Sequence, residues 1–190
     1  MKKNLIGFLA IAAMFIYFPL FSQDGPTDNH LLKVTIPEVA IVDIESSGSK
    51  DIELVAVAPT EAGDPMTFTA TNNTLWLNYS SIVPGPNNAN KRRKITVEMS
   101  ALVPGIDVKL AVGAYTGAGL GNKGTGVAGP TTLTTAAQDA VTDIGSCYTV
   151  DGVGNGHQLT YSFDIAGTNY GDIFAQDHEV TVTYTITDAN

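Results

Sequence analysis

Gly119, Gly121 and Gly124 match G-x-G-x-x-G, a spacing that cradles a dinucleotide pyrophosphate when it joins a strand to the N-terminus of a helix. Here further glycines, Pro130 and a run of threonines follow. Lys123 precedes a glycine, the reverse of the P-loop order. The expectation is a flexible hairpin loop without a phosphate site. The turn Asp151, Gly152, Val153, Gly154, Asn155, Gly156, His157 offers oxygen ligands to a hard cation, but it lacks the repeated acids of a calcium loop and occurs once. A tight hairpin is expected there, and no metal site is assigned. Cys147 is the single cysteine, and the histidines are His30, His157 and His178. No pair has zinc spacing, and the thiol between small and aromatic neighbours reads as packing. The acids are scattered singly, so no carboxylate pair is singled out for hydrolysis. No catalytic residue, cofactor or metal ligand is assigned, and the chain is expected not to be an enzyme.

Two clusters point to binding instead. Lys91, Arg92, Arg93 and Lys94 form the one basic run in a chain of formal charge -9. They protect the start of a strand from edge pairing, or make an electrostatic contact with an acidic face of another copy. Trp76, Tyr79, Tyr115 and Tyr148 are candidate stacking platforms for a sugar or other ligand.

These residues must be positioned by strands. Ile106, Val108, Leu110 and Val112 alternate with Asp107, Lys109 and Ala111, the pattern of a half-buried strand over 106–112. Val180, Val182, Tyr184 and Ile186 alternate with threonines to give another over 180–187. Further strands are expected at 33–36, 39–44, 52–58, 66–71, 75–79, 95–99 and 159–165, with a short helical turn within 134–144. Residues 83–90 and 113–130 read as turn-rich and glycine-rich linkers. Many short strands without alternating helices predict an all-β fold, a single antiparallel β-sandwich of immunoglobulin-like or pilin-like type spanning 32–190.

The first residues carry Lys2 and Lys3 and then run without charge from Leu5 to Phe21. This is the order of a secretory signal. Residues 1–23 are expected to be cleaved, leaving a flexible leader at 24–31. The mature chain then has 8 basic and 19 acidic residues, a formal charge of -11. Such a surface repels nucleic acid, and no membrane span is expected after cleavage. The protein is expected to be secreted or held at the cell surface, with the periplasm as an alternative. One cysteine excludes an intrachain disulfide, so stability rests on an apolar core.

Leu32, Val34 and Ile36 alternate, Pro37 interrupts, and Val39, Ile41 or Val42, and Ile44 resume. An apolar alternating segment near a free N-terminus pairs within its own sheet or adds to the sheet edge of a neighbour. Leu32, Val34, Ile36, Val39 and Ile41 are therefore the candidate residues for strand donation or assembly. The chain ends in Val-Thr-Val-Thr-Tyr-Thr-Ile-Thr after Glu179. With the export signal and sandwich length, this ending resembles secreted pilin-like β-sandwich proteins, including spore-coat-U-like proteins of Gram-negative bacteria. The complete final strand departs from pilins that lack one. The resemblance implies a self-assembling or filament subunit whose partners are itself or other cell-envelope proteins. The alternative is a secreted carbohydrate- or ligand-binding module.

Overall fold

The computed structural model describes residues 25–85 and 91–189. The expected signal at 1–23 lies outside them. Among the described residues, threonine, valine, isoleucine and tyrosine build nine strands, in keeping with the fit of branched and aromatic side chains to a pleated surface. They are β1 (Val39–Ser46), β2 (Thr71–Ile82), β3 (Arg93–Met99), β4 (Ile106–Thr116), β5 (Gly121–Gly126), β6 (Thr131–Thr132), β7 (Gln138–Tyr148), β8 (Gly156–Ile165) and β9 (Val182–Asp188). All pair antiparallel in one sheet of order β6-β4-β8-β2-β7-β3-β9, with β1 on β2 and β5 on β7.

The long strand β2 turns this sheet into two layers. One edge of β2 carries β1 throughout, from Val39 opposite Ile82 to Ser46 opposite Leu75. Its other edge pairs first with β8, at Leu75–Leu159 and Leu77–His157, and then with β7, at Ser80–Tyr148 and Ser81–Cys147. Strands far apart in ladder order consequently meet. The Tyr161 hydroxyl of β8 lies 2.6 Å from the Tyr184 hydroxyl of β9. The fold is all-β, antiparallel and sandwich-like. Its core holds Leu75, Leu77, Ile95, Val97, Leu110, Val141, Ile144 and Leu159. Tyr161 and Tyr184 complete it as apolar rings with a shared polar tip.

The expected strands at 39–44, 75–79, 95–99, 106–112 and 159–165 are present, and the one expected over 180–187 is β9, which begins at Val182. Others are not. Residues 33–36 form no strand, and 52–58 and 66–71 share a single bridge, Val57–Thr67, before Thr71 opens β2. Ile52 and Leu54 still pack against the core, so their alternation reports burial without a ladder. The helical turn expected within 134–144 is instead the start of β7, and the glycine-rich linker contains the end of β4 and all of β5. The chain divides at Thr35/Ile36. All described strands belong to the second unit. In the first, residues 25–35 carry no regular element, and Leu31, Leu32 and Val34 are exposed.

Candidate functional site

The alternating residues at the N-terminus have the composition of a core strand but no core position. Leu31 is 94% exposed, Leu32 76%, and Val34 and Ile36 74% each. After Pro37 the chain enters β1, which pairs with β2 alone. Val42 and Ile44 face inward against the core. Ile41 faces outward and is largely exposed, and Val39 is half-buried. The segment over 32–44 is thus of two kinds. Residues 39–44 are self-paired, and 32–36 are unpaired among the described residues.

The basic run lies at the start of β3. Along this strand Arg93, Ile95, Val97 and Met99 are buried while the residues between are half-buried. Arg93 therefore points inward with the apolar residues of the same parity. Its Nε donates to Asp188 Oδ1 at 3.3 Å, and its Nη1 donates to Ser81 Oγ and the Ile82 carbonyl, both at 3.2 Å, and to the Val39 carbonyl. Nη2 pairs with Glu38. One guanidinium, 4% exposed in its side chain, ties the entry to β1 to the ends of β2 and β9. A planar fork with five donors suits this task, and a lysine ammonium does not. Lys94 pairs with Asp139 at 2.9 Å and Arg92 with Asp143 at 3.2 Å. Three of the four cations thus face carboxylates of their own chain, and Lys91 is exposed. Charge groups the four together, whereas parity with Ile95 and Val97 singles out Arg93.

The G-x-G-x-x-G spacing is a device for close packing. At Gly121, with φ of +85°, a Cβ would strike the Ser146 carbonyl oxygen and sit 2.8 Å from Cys147 Cα. Gly124 lies equally close to the Thr142 carbonyl. Without side chains there, β5 settles onto β7, pairing Gly121 with Cys147 and Lys123 with Ile144. Lys123 Nζ then donates to the Gly119 carbonyl at 2.9 Å and stands 4.5 Å from the centre of the Tyr115 ring.

Behind this strand lies a buried polar cluster. His157 is 0% exposed. Its Nδ1 donates to the Gly113 carbonyl at 2.8 Å, which places the proton on Nδ1 because a carbonyl only accepts. Its Nε2 is 2.9 Å from the Tyr79 hydroxyl, which also contacts the Lys123 carbonyl. Burial holds the His157 pKa below its ordinary value, against the pull of hydrogen bonds to Gly113 and Lys123. Burial likewise holds the Tyr79 phenol far above its usual range.

A pH prediction follows from His157. The unfolded chain takes up this proton first, so stability should fall as pH drops through about 6.5, and go on falling towards the lower folded pKa. Asp43 and Asp164 also have lowered pKa values, through Lys50 and through the Ile165 amide respectively. Their contribution is lost only at more acid pH, near the ordinary carboxylate range. Urea midpoints measured from pH 8 to 5 should decline in the native chain, and His157→Gln should flatten that decline.

Comparison with protein-family models, curated proteins and solved structures returns no match.

Cys147 is buried, and its thiol is pushed up to about 11 by that burial despite the nearby Lys123 charge. It is a neutral packing group at physiological pH. Both nitrogens of His157 are engaged elsewhere, and His178 meets Phe174 edge-to-face at 5.0 Å between centroids. Among the described residues, no three His, Cys, Asp or Glu side chains gather to hold a metal. Of the aromatic candidates, Tyr79 stacks on His157 in the interior and Tyr115 packs against the same imidazole, donating to the Thr149 carbonyl at 3.2 Å. Trp76 is half-buried opposite Glu45, and Tyr148 is exposed.

Proposed function

We propose that this protein is an exported structural or surface-interaction protein that assembles through its N-terminal arm, with residues 32–36 adding as a strand to the sheet edge of a neighbouring copy. The observation that supports this reading is the exposure of Leu32, Val34 and Ile36, alternating residues of strand type with no strand partner among the described residues. Main-chain hydrogen bonds along an edge provide affinity, and pockets for alternate side chains provide register. Among the described residues β1 and β9 each carry a ladder on one side only, so each offers an edge that a further strand can extend. Donation from the N-terminus of one copy to the edge of the next is head-to-tail. Unless the rotation closes, it builds a filament.

Sedimentation velocity on a chain beginning at Asp24 tests the proposal. Species larger than the monomer, growing with concentration, are expected. A chain beginning at Pro37 should retain its β circular dichroism and sediment as a monomer. A strictly monomeric longer chain at high concentration would overturn the reading.

A further inference from the structure

Residues 52–57 are a second segment of strand type without a ladder. Ile52, Leu54 and Ala56 are half-buried and alternate with the exposed Glu53, Val55 and Val57, and Ile52 and Leu54 pack against the core. Burial with a period of two is the mark of an extended backbone. Val57 exchanges both main-chain bonds with Thr67, at 2.9 and 3.0 Å, while among the described residues Ile52 to Ala56 make no backbone hydrogen bond. An extended run of free main-chain donors and acceptors, fixed to a core through its side chains, is a template for a further strand.

The Val57–Thr67 bridge sets which edge is open. Both polar groups of Val57 face Thr67, so by alternation those of Ile52, Leu54 and Ala56 face the other way. An antiparallel strand arriving on that edge makes hydrogen-bonded pairs with Ile52 and Leu54. Glu53 and Val55 then fall at the sites between, where opposed side chains come closest.

We infer that this edge accepts the N-terminal arm of a second copy, docked antiparallel with Leu32 opposite Leu54, Val34 opposite Ile52, Lys33 opposite Glu53 and Leu31 opposite Val55. The inference rests on strand donation by the arm and names the place where the strand goes. Each pair in this register is matched in kind. Leu32 and Val34, exposed in the free arm, join the row of Leu54 and Ile52 beside the core. Leu31, 94% exposed, meets Val55, 58% exposed. A slip by one residue sets Lys33 against Leu54 or Ile52 and turns the apolar row of the arm outward.

Charge separates this edge from its rivals. Among the described residues Lys33 and Glu53 have no ion-pair partner. On β1, Asp43 already bonds Lys50, and Glu45 bonds Asp43. The outward row of β9 is Thr183, Thr185 and Thr187, which gives an ammonium no carboxylate. An exposed Lys33–Glu53 pair sets register and adds little affinity. The apolar row and the main-chain bonds hold the strand.

Cysteine cross-linking between two chains that begin at Asp24 tests this, alongside sedimentation of the unsubstituted chain. Lys33→Cys in one chain is mixed with Glu53→Cys in the other under mild oxidation, and the joined peptides are read by mass spectrometry. Both positions are exposed, and the native Cys147 is buried. Glu53→Cys should join Lys33→Cys at least about tenfold faster than Ile41→Cys on β1 or Thr185→Cys on β9 does, because a disulfide needs its Cβ atoms about 4 Å apart. Val55→Cys should join Leu31→Cys equally well. Serine in place of Leu32, Val34 and Ile36 in the donor chain should abolish the link. In a chain that assembles, equal or faster linking at Ile41→Cys or Thr185→Cys would overturn this acceptor and leave strand donation standing. Linking that survives the serine replacements would also overturn it. A chain that stays monomeric would overturn both.

Discussion

Gly121→Val is expected to destabilise the fold by at least about 3 kcal/mol, measured as a shift in the urea unfolding midpoint. The new side chain meets two separate costs. A branched residue at φ of +85° loses about 1–2 kcal/mol against the left-handed conformation. The larger cost is steric, because its Cβ enters the space of the Ser146 carbonyl and Cys147. Both are backbone or core atoms of β7 and cannot swing aside. β5 must lift, weakening its ladder to β7 and the contacts that Tyr115 and Lys123 make beneath it. Gly129 supplies the control. It also has a positive φ, of +79°, but a Cβ there meets nothing within 4 Å. Gly129→Ala should therefore cost only about 1 kcal/mol. Equal losses at the two positions would show that close approach is not what the glycine spacing serves.

Arg93→Ala should cost about 3 kcal/mol. Breaking a buried, hydrogen-bonded charge cluster typically costs about 3–5 kcal/mol. The lower end applies because the side chains of Glu38 and Asp188 are 50% and 69% exposed and can rehydrate once the guanidinium is gone. What remains uncompensated is the interior. Ser81 is fully buried and loses its donor, and the ends of β1, β2 and β9 lose their common tie. Arg93→Lys should recover only part of the loss, since one ammonium cannot reach five acceptors. By contrast, Lys94→Ala removes a pair with Asp139 that is partly exposed on both sides and should change stability by less than about 1 kcal/mol. Urea midpoints of the three variants would rank them directly.

The strands that sequence reveals are those in which one face is apolar and unbroken. β3, β9 and β4 as far as Val112 alternate without interruption in sequence, and their parity assigns the inward side chains, Arg93 included. β7 hides itself for a definite reason. Its inward residues Ala140, Val141, Ile144 and Cys147 have the spacing of a helical face. The ladder to β3 slips between Arg93 and Ile95 and again between Ile95 and Thr96, and Asp143 takes φ of +61°. These bulges put the extra residues into β7 and turn a period of two into one that mimics 3.6. β5 is concealed by composition, since glycines that permit close approach look like the glycines of a loop. The alternation of Leu32, Val34 and Ile36 is legible in the sequence, but their exposure outside any ladder is not, because a paired and an unpaired segment can alternate alike.

Assembly through the arm is most directly tested by supplying it in trans. A chain beginning at Pro37 retains every described strand and should bind a synthetic peptide covering residues 30–38 saturably in a calorimetric titration. A peptide with serine at 32, 34 and 36 should fail, while one with serine at 33 and 35 should bind as the native peptide does, because a strand presents alternate residues to a pocket. Absence of binding by the native peptide, or indifference to which parity is replaced, would contradict strand donation.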